Sequence, residues 1–133
     1  MSGEVMSNEE DYAFDVAGYL HVPSILKPEE VKELNQALDG MEKSTGMLGW
    51  PVPQREPFRD LLVHPKLVWY LNQIVGHGFR LDQAPRLLGY QEGEVVDKLV
   101  GGDEPRNPSQ AYYQQNGRRS SQGIKVIWAL EDV

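Results

Sequence analysis

The sequence predicts an α+β protein in which N-terminal helices pack on a β-rich C-terminal half. Apolar residues recur at helical spacing before residue 76, short β-like runs follow residue 78, and the two patterns do not alternate as βαβ units would. Helices come first, then strands.

Residues 1–11 are polar and acidic, with little to bury, and read as a loose tail before a domain over residues 12–133. Tyr19-Leu20-His21-Val22, opened by Gly18 and closed by Pro23, suits a strand or extended segment. A helix is expected from Pro28: proline fits the first helical turn, Glu29 and Glu30 complement the positive end of the dipole, and Val31, Leu34, Leu38 and Met41 share a face. Residues 44–57, with three prolines and two glycines around Trp50, predict a long loop. Phe58 to Val63 fits a short helix. His64-Pro65 opens another, with Leu67, Val68, Leu71, Ile74 and Val75 along it and Gly76 at its stop. Phe79 to Leu81, Leu87 to Tyr90, Val95-Val96 and Ile124 to Leu130 are the expected strands. In the last, Trp128 should face the core while Lys125 points away.

The composition narrows the function classes. With 20 acidic and 13 basic side chains the formal charge is −7, and all of the excess lies in residues 1–60. An acidic chain without a basic stripe lacks the phosphate-neutralising charge that nucleic acids and anionic lipids require, so neither is an expected partner. No apolar run approaches the roughly 18 residues of a membrane span, and the acidic N-terminus lacks the order of a signal peptide, so the cytoplasm is the expected location. Without cysteine there is no disulfide framework, thiolate site or cysteine nucleophile. A metal would have to be held by histidine and carboxylate.

The residues alone do not assemble such a site. None of His21, His64 and His77 is followed two places on by an acid; they read as a strand, a helix-start and a loop residue. There is no nucleophile elbow, and Ser120-Ser121 reads as part of a polar turn. Gly101-Gly102 and Gly117 fit no phosphate loop and supply turn geometry, while Asp103-Glu104 beside Pro105 reads as a solvated loop.

Three stretches together resemble the phytanoyl-CoA dioxygenase family of iron(II)- and 2-oxoglutarate-dependent oxygenases. The first is Asp15-Val16-Ala17-Gly18-Tyr19-Leu20-His21-Val22-Pro23 leading into Leu26-Lys27-Pro28-Glu29-Glu30-Val31. The second runs from His64-Pro65-Lys66-Leu67 through Ile74-Val75-Gly76 to Phe79-Arg80-Leu81-Asp82 and Pro85. The third comprises Leu99-Val100-Gly101-Gly102, Tyr112, Gly117-Arg118 and Ile124 to Val133. The resemblance implies a jelly-roll double-stranded β-helix with helices packed outside it. It also implies hydroxylation of a C–H bond in a small-molecule substrate, coupled to oxidative decarboxylation of 2-oxoglutarate at an iron held by two histidines and an acid.

Tyr112 and Arg118 fall at family positions near the opening of the barrel and become candidate cofactor contacts, though a strand aromatic and a turn arginine are equally natural roles. Val100 stands where the related pattern has a ligand histidine, and valine cannot bind iron; Asp103 is the neighbouring candidate metal ligand. The related sequences continue into a second histidine and a basic residue for 2-oxoglutarate. The chain is therefore expected to be the N-terminal part of an oxygenase-like domain truncated at its C-terminus. By itself it is expected to bind no cofactor, turn over no 2-oxoglutarate and self-associate through unpaired strand edges. Two other readings compete: a non-catalytic jelly-roll binding module that lost an iron ligand at Val100, and a generic acidic α+β interaction domain.

Overall fold

The computed structural model describes residues 5–41, 46–87 and 111–132. Among them are four α-helices, one short 3-10 turn and one two-stranded antiparallel sheet, an α+β composition. A jelly roll needs about eight strands; the double-stranded β-helix expected from the sequence is not evident among the described residues. The expected strand Phe79–Leu81 is in no ladder; of the expected strand Leu87–Tyr90 only Leu87 is described, and Val95-Val96, Val100 and Asp103 lie outside the described residues.

The chain divides into two compact units. One comprises Met1–Pro23, Val68–Phe79 and Lys98–Val126, the other Ser24–Leu67, Arg80–Asp97 and Ile127–Val133.

In the first unit α1 spans Asn8–Ala17. Residues 8–11, expected in the tail, form its opening turn because Ser7 and Glu10 make a capping box: each side chain accepts the other's backbone N–H, both at 3.1 Å. Gly18 ends the helix in the left-handed region at φ 76°, its N–H donating to the Phe14 carbonyl at 2.9 Å. Met6 and Phe14 are buried with Tyr70 and Ile74, and Leu20 and Val22 pack beside them, so the expected Tyr19–Val22 strand is an extended flank of the core without a ladder.

The sheet of this unit is a hairpin. Strands β1 (Tyr112–Gln115) and β2 (Arg118–Ser121) pair Tyr112 with Ser121 and Gln115 with Arg118. Asn116 and Gly117, at φ 53° and 71°, form the two-residue connection, the conformation that a type I′ turn demands. Ser120 and Ser121 thus belong to a strand, and Ser121 is buried. Nothing lies within 4 Å of where a Cβ on Gly117 would stand, so a substitution there meets only backbone cost. Gly117→Val is expected to destabilise the protein by about 1–2 kcal/mol. An unchanged urea midpoint would contradict the turn.

In the second unit α2 spans Pro28–Leu38, as the sequence predicts, with the Lys27 N–H donating to Glu30 Oε2 at 2.7 Å and Leu34 buried. The expected loop over 44–57 is overturned in its second half: Met47–Gly49 is a 3-10 turn, and α3 runs Val52–Leu62. Pro51 caps α3 and Pro53 sits in its first turn, where no backbone N–H is needed; Pro57 lies inside and forgoes one bond. Leu34, Met47, Trp50, Phe58 and Leu61 form the core, with the Trp50 and Phe58 rings edge-to-face at 5.2 Å.

The expected strand Ile124–Leu130 is not in a ladder. Its β-branched residues favour a pleat, but a strand exists only through its partner. Trp128 and Leu130 nevertheless pack on the second core while Ile127 is exposed, and Asn35 Nδ2 donates to the Leu130 carbonyl at 2.9 Å. The Trp128 expectation therefore holds. Lys125 is exposed, as expected.

Helix α4 (Pro65–Ile74) opens where His64-Pro65 predicts, with the Lys66 N–H donating to His64 Nδ1 at 3.2 Å. The Val75 and Gly76 N–H groups close it on the Leu71 carbonyl. No helix among the described residues is long and apolar enough to cross a membrane.

Candidate functional site

The polar chemistry of the first unit gathers where the hairpin meets α1. Strand alternation divides the hairpin into two faces. Tyr112, Gln114, Arg119 and Ser121 share one, and Tyr113, Gln115, Arg118 and Ser120 share the other. Every residue of the second set is exposed, whereas Ser121 is buried and Tyr112 and Arg119 are half-buried.

Three carboxylates of α1 meet this unit's polar groups. The Tyr112 hydroxyl donates to Asp15 Oδ1 at 2.8 Å, and its ring lies edge-on to Phe14 at 5.9 Å. The Tyr70 hydroxyl of α4 donates to Glu10 Oε1 at 2.7 Å. Arg119 pairs with Asp11 through Nη2, reaches the Met6 sulfur through Nη1 at 3.7 Å, and lies 5.2 Å from the centre of the Phe14 ring. Desolvation, then the hydrogen bond and the charge of the partner carboxylate, push both phenols up to about 12. Desolvation lowers the Arg119 guanidinium, whose side chain is 9% exposed.

This geometry separates the two candidate cofactor contacts. Arg118 opposes Gln115, three residues from Tyr112, so the pair stands on opposite faces of the hairpin. Arg118 is exposed, and the Tyr112 hydroxyl is already donating to a carboxylate. As placed, they do not form one clasp for a dicarboxylate such as 2-oxoglutarate. The described residues do not fit iron either: none of their histidines and acids form a group of three or more able to hold a metal. His64 Nδ1 accepts the Lys66 N–H, and its ring lies 5.6 Å from that of Trp128. His21 and His77 are exposed.

Arg119 is the residue that sequence reasoning missed. Arg118 and Arg119 are chemically identical neighbours, and only the hairpin register decides which one turns inward. The available signal was Asn116-Gly117, which fixes a two-residue turn and therefore the alternation after it. Beside Arg119 lies a cavity of about 260 Å³ walled by Asn8, Asp11, Gln73, Gln114 and Arg119, with Val5 and Met6 as apolar edges. In the second unit a hollow of about 450 Å³ lies against Glu56, Arg59 and Asp60 of α3; its 3.0 Å Arg59–Glu56 pair is solvent-exposed and contributes little.

Comparison of the chain with protein-family models, curated proteins and solved structures gives no match.

Proposed function

We propose that this chain is the N-terminal portion of an iron(II)- and 2-oxoglutarate-dependent oxygenase of the phytanoyl-CoA dioxygenase kind, hydroxylating a small organic substrate from a jelly-roll double-stranded β-helix. The observation that carries this reading is the order of the three motif stretches between residues 15 and 133. Support comes from α2 and α4 opening at Pro28 and Pro65, within the first two stretches, as outer helices of such a domain would. When bound, iron with 2-oxoglutarate supplies the oxidation of a C–H bond. The share of this chain is scaffolding: α2 and α3 bury Leu34, Phe58 and Leu61, and α1 anchors the hairpin. Metal and 2-oxoglutarate contacts fall to residues outside those described, Asp103 among the candidates. Open strand edges give the isolated chain a route to self-association.

A second reading, a non-catalytic binding module, is favoured by Val100 at the ligand position and by the commitment of Tyr112 to Asp15. Anaerobic titration of the natural full-length protein with iron(II) and 2-oxoglutarate separates the two. One equivalent of each bound, with succinate released on admitting oxygen, is the result expected of the oxygenase. Iron binding that appears only in Val100→His identifies the non-catalytic module. Failure of both proteins to bind iron overturns the likeness altogether.

A further inference from the structure

The cavity beside Arg119 combines features that point to a ligand independently of the oxygenase reading. Its cation is held inside the fold, with a side chain 9% exposed. A guanidinium has five N–H donors. Here Asp11 takes one Nη and the Met6 sulfur, a weak acceptor, takes the other, while the buried Nε has no partner among the described residues. A buried donor left unpaired is costly to the fold. The guanidinium is therefore under-used as a donor although its charge is already balanced.

That balance selects the ligand. A simple anion entering the cavity would leave Asp11 and Arg119 with a surplus negative charge, and a simple cation would leave a surplus positive one; uncompensated charge at a partly desolvated site is expensive. A molecule bearing both charges exchanges the internal pair for two external pairs and leaves the net charge at zero. Asn8, Gln73 and Gln114 line the same space with amides that both donate and accept. The volume, about 260 Å³, is below the roughly 300–1,000 Å³ of sites for drug-sized ligands. It suits a molecule of a few heavy atoms and excludes a nucleotide or an acyl-CoA.

We propose that this cavity is a binding site for a small zwitterion of the α-amino-acid type, its carboxylate on Arg119 and its ammonium on Asp11. Heteronuclear NMR of the full chain, observing the Arg119 Nε–H and the Gln73 and Gln114 side-chain amides, tests it with glycine, acetate, methylammonium and acetamide as probes. Glycine is expected to shift these signals saturably, and each of the other three to bind about tenfold more weakly or less. Acetate binding as tightly as glycine would instead make this a plain anion site, and acetamide doing so a neutral-amide site; either overturns the proposal, as does the absence of any saturable shift. Arg119→Lys keeps the charge but loses the fork, and should weaken glycine binding about tenfold. Because Arg119 also packs on Phe14, Gln114→Ala, at an exposed strand position, is the second arm; it should weaken glycine severalfold with the far-UV spectrum unchanged. Undiminished glycine binding in both variants would place the ligand elsewhere.

Discussion

Replacing Trp50 with alanine is expected to lower the stability of the protein by about 3–5 kcal/mol, the range for deleting a large aromatic from a packed core. Trp50 is 5% exposed, meets Phe58 edge-to-face at 5.2 Å, and shares its cluster with Leu34, Met47 and Leu61. Its removal takes away the apolar area, the ring pairing and the support for the turn from the 3-10 segment into α3. Since small domains hold only about 5–15 kcal/mol in total, the loss is a large share of the whole. Urea unfolding followed by far-UV circular dichroism measures it. Trp128→Ala provides the scale, because Trp128 is only half-buried in the same cluster and should cost clearly less. Equal costs at the two positions would mean that the core is not centred on Trp50.

Raising the pH from 10 to 12 should produce the second large effect. Tyr70 and Tyr112 are both held up to about 12 in the folded state, chiefly by desolvation and then by Glu10 and Asp15 respectively. A raised native pKa means that the folded state keeps its proton longer than the unfolded state. The stabilisation is complete below pH 10 and is lost as the pH climbs towards 12. A shift of about two units corresponds to roughly 2–3 kcal/mol per phenol, and screening at the edge of the unit reduces the two together to about 2–3 kcal/mol. Stability measured by urea at stepped pH should fall across this window, and phenolate absorbance should rise with unfolding. A Tyr70→Phe, Tyr112→Phe double variant should lose about 1 kcal/mol per hydrogen bond at neutral pH and show a flatter fall above pH 10. An equally steep fall in that variant would assign the alkaline loss to other groups.

Helices α2 and α4 were legible because a proline marks each start; apolar spacing also marks the inward face of α2, whereas α4 turns Tyr70 inward with Ile74, and Leu67, Val68 and Leu71 of its expected face join neither core. α3 was not, since three prolines between residues 51 and 57 look like loop punctuation unless two of them are seen to fall at a cap and in a first turn. The start of α1 is encoded locally: Ser7-Asn8-Glu9-Glu10 carries the capping-box spacing within a stretch whose acidic composition resembles a tail. Ile124 to Leu130 shows the opposite failure. Its pattern is that of a strand, yet pairing is a property of two segments, and one segment's sequence cannot supply the other. The polar site likewise depends on segments far apart in the chain. Asp11 and Asp15 each lie about a hundred positions from their partners Arg119 and Tyr112, and nothing local to any of the four announces the meeting.

The division into two units has a bearing on how the chain reaches its structure. Each unit is stitched from three separate stretches, and the stretches of one alternate with those of the other from end to end. No single cut or truncation can therefore release either unit intact. The Tyr70–Glu10 contact closes 60 residues and the Tyr112–Asp15 contact 97, so large loops must be closed before either bond forms. Such wiring slows folding relative to a helical bundle of the same length. It also ties the fate of the two cores together during synthesis, since the first unit cannot be finished until nearly all of the second has been made.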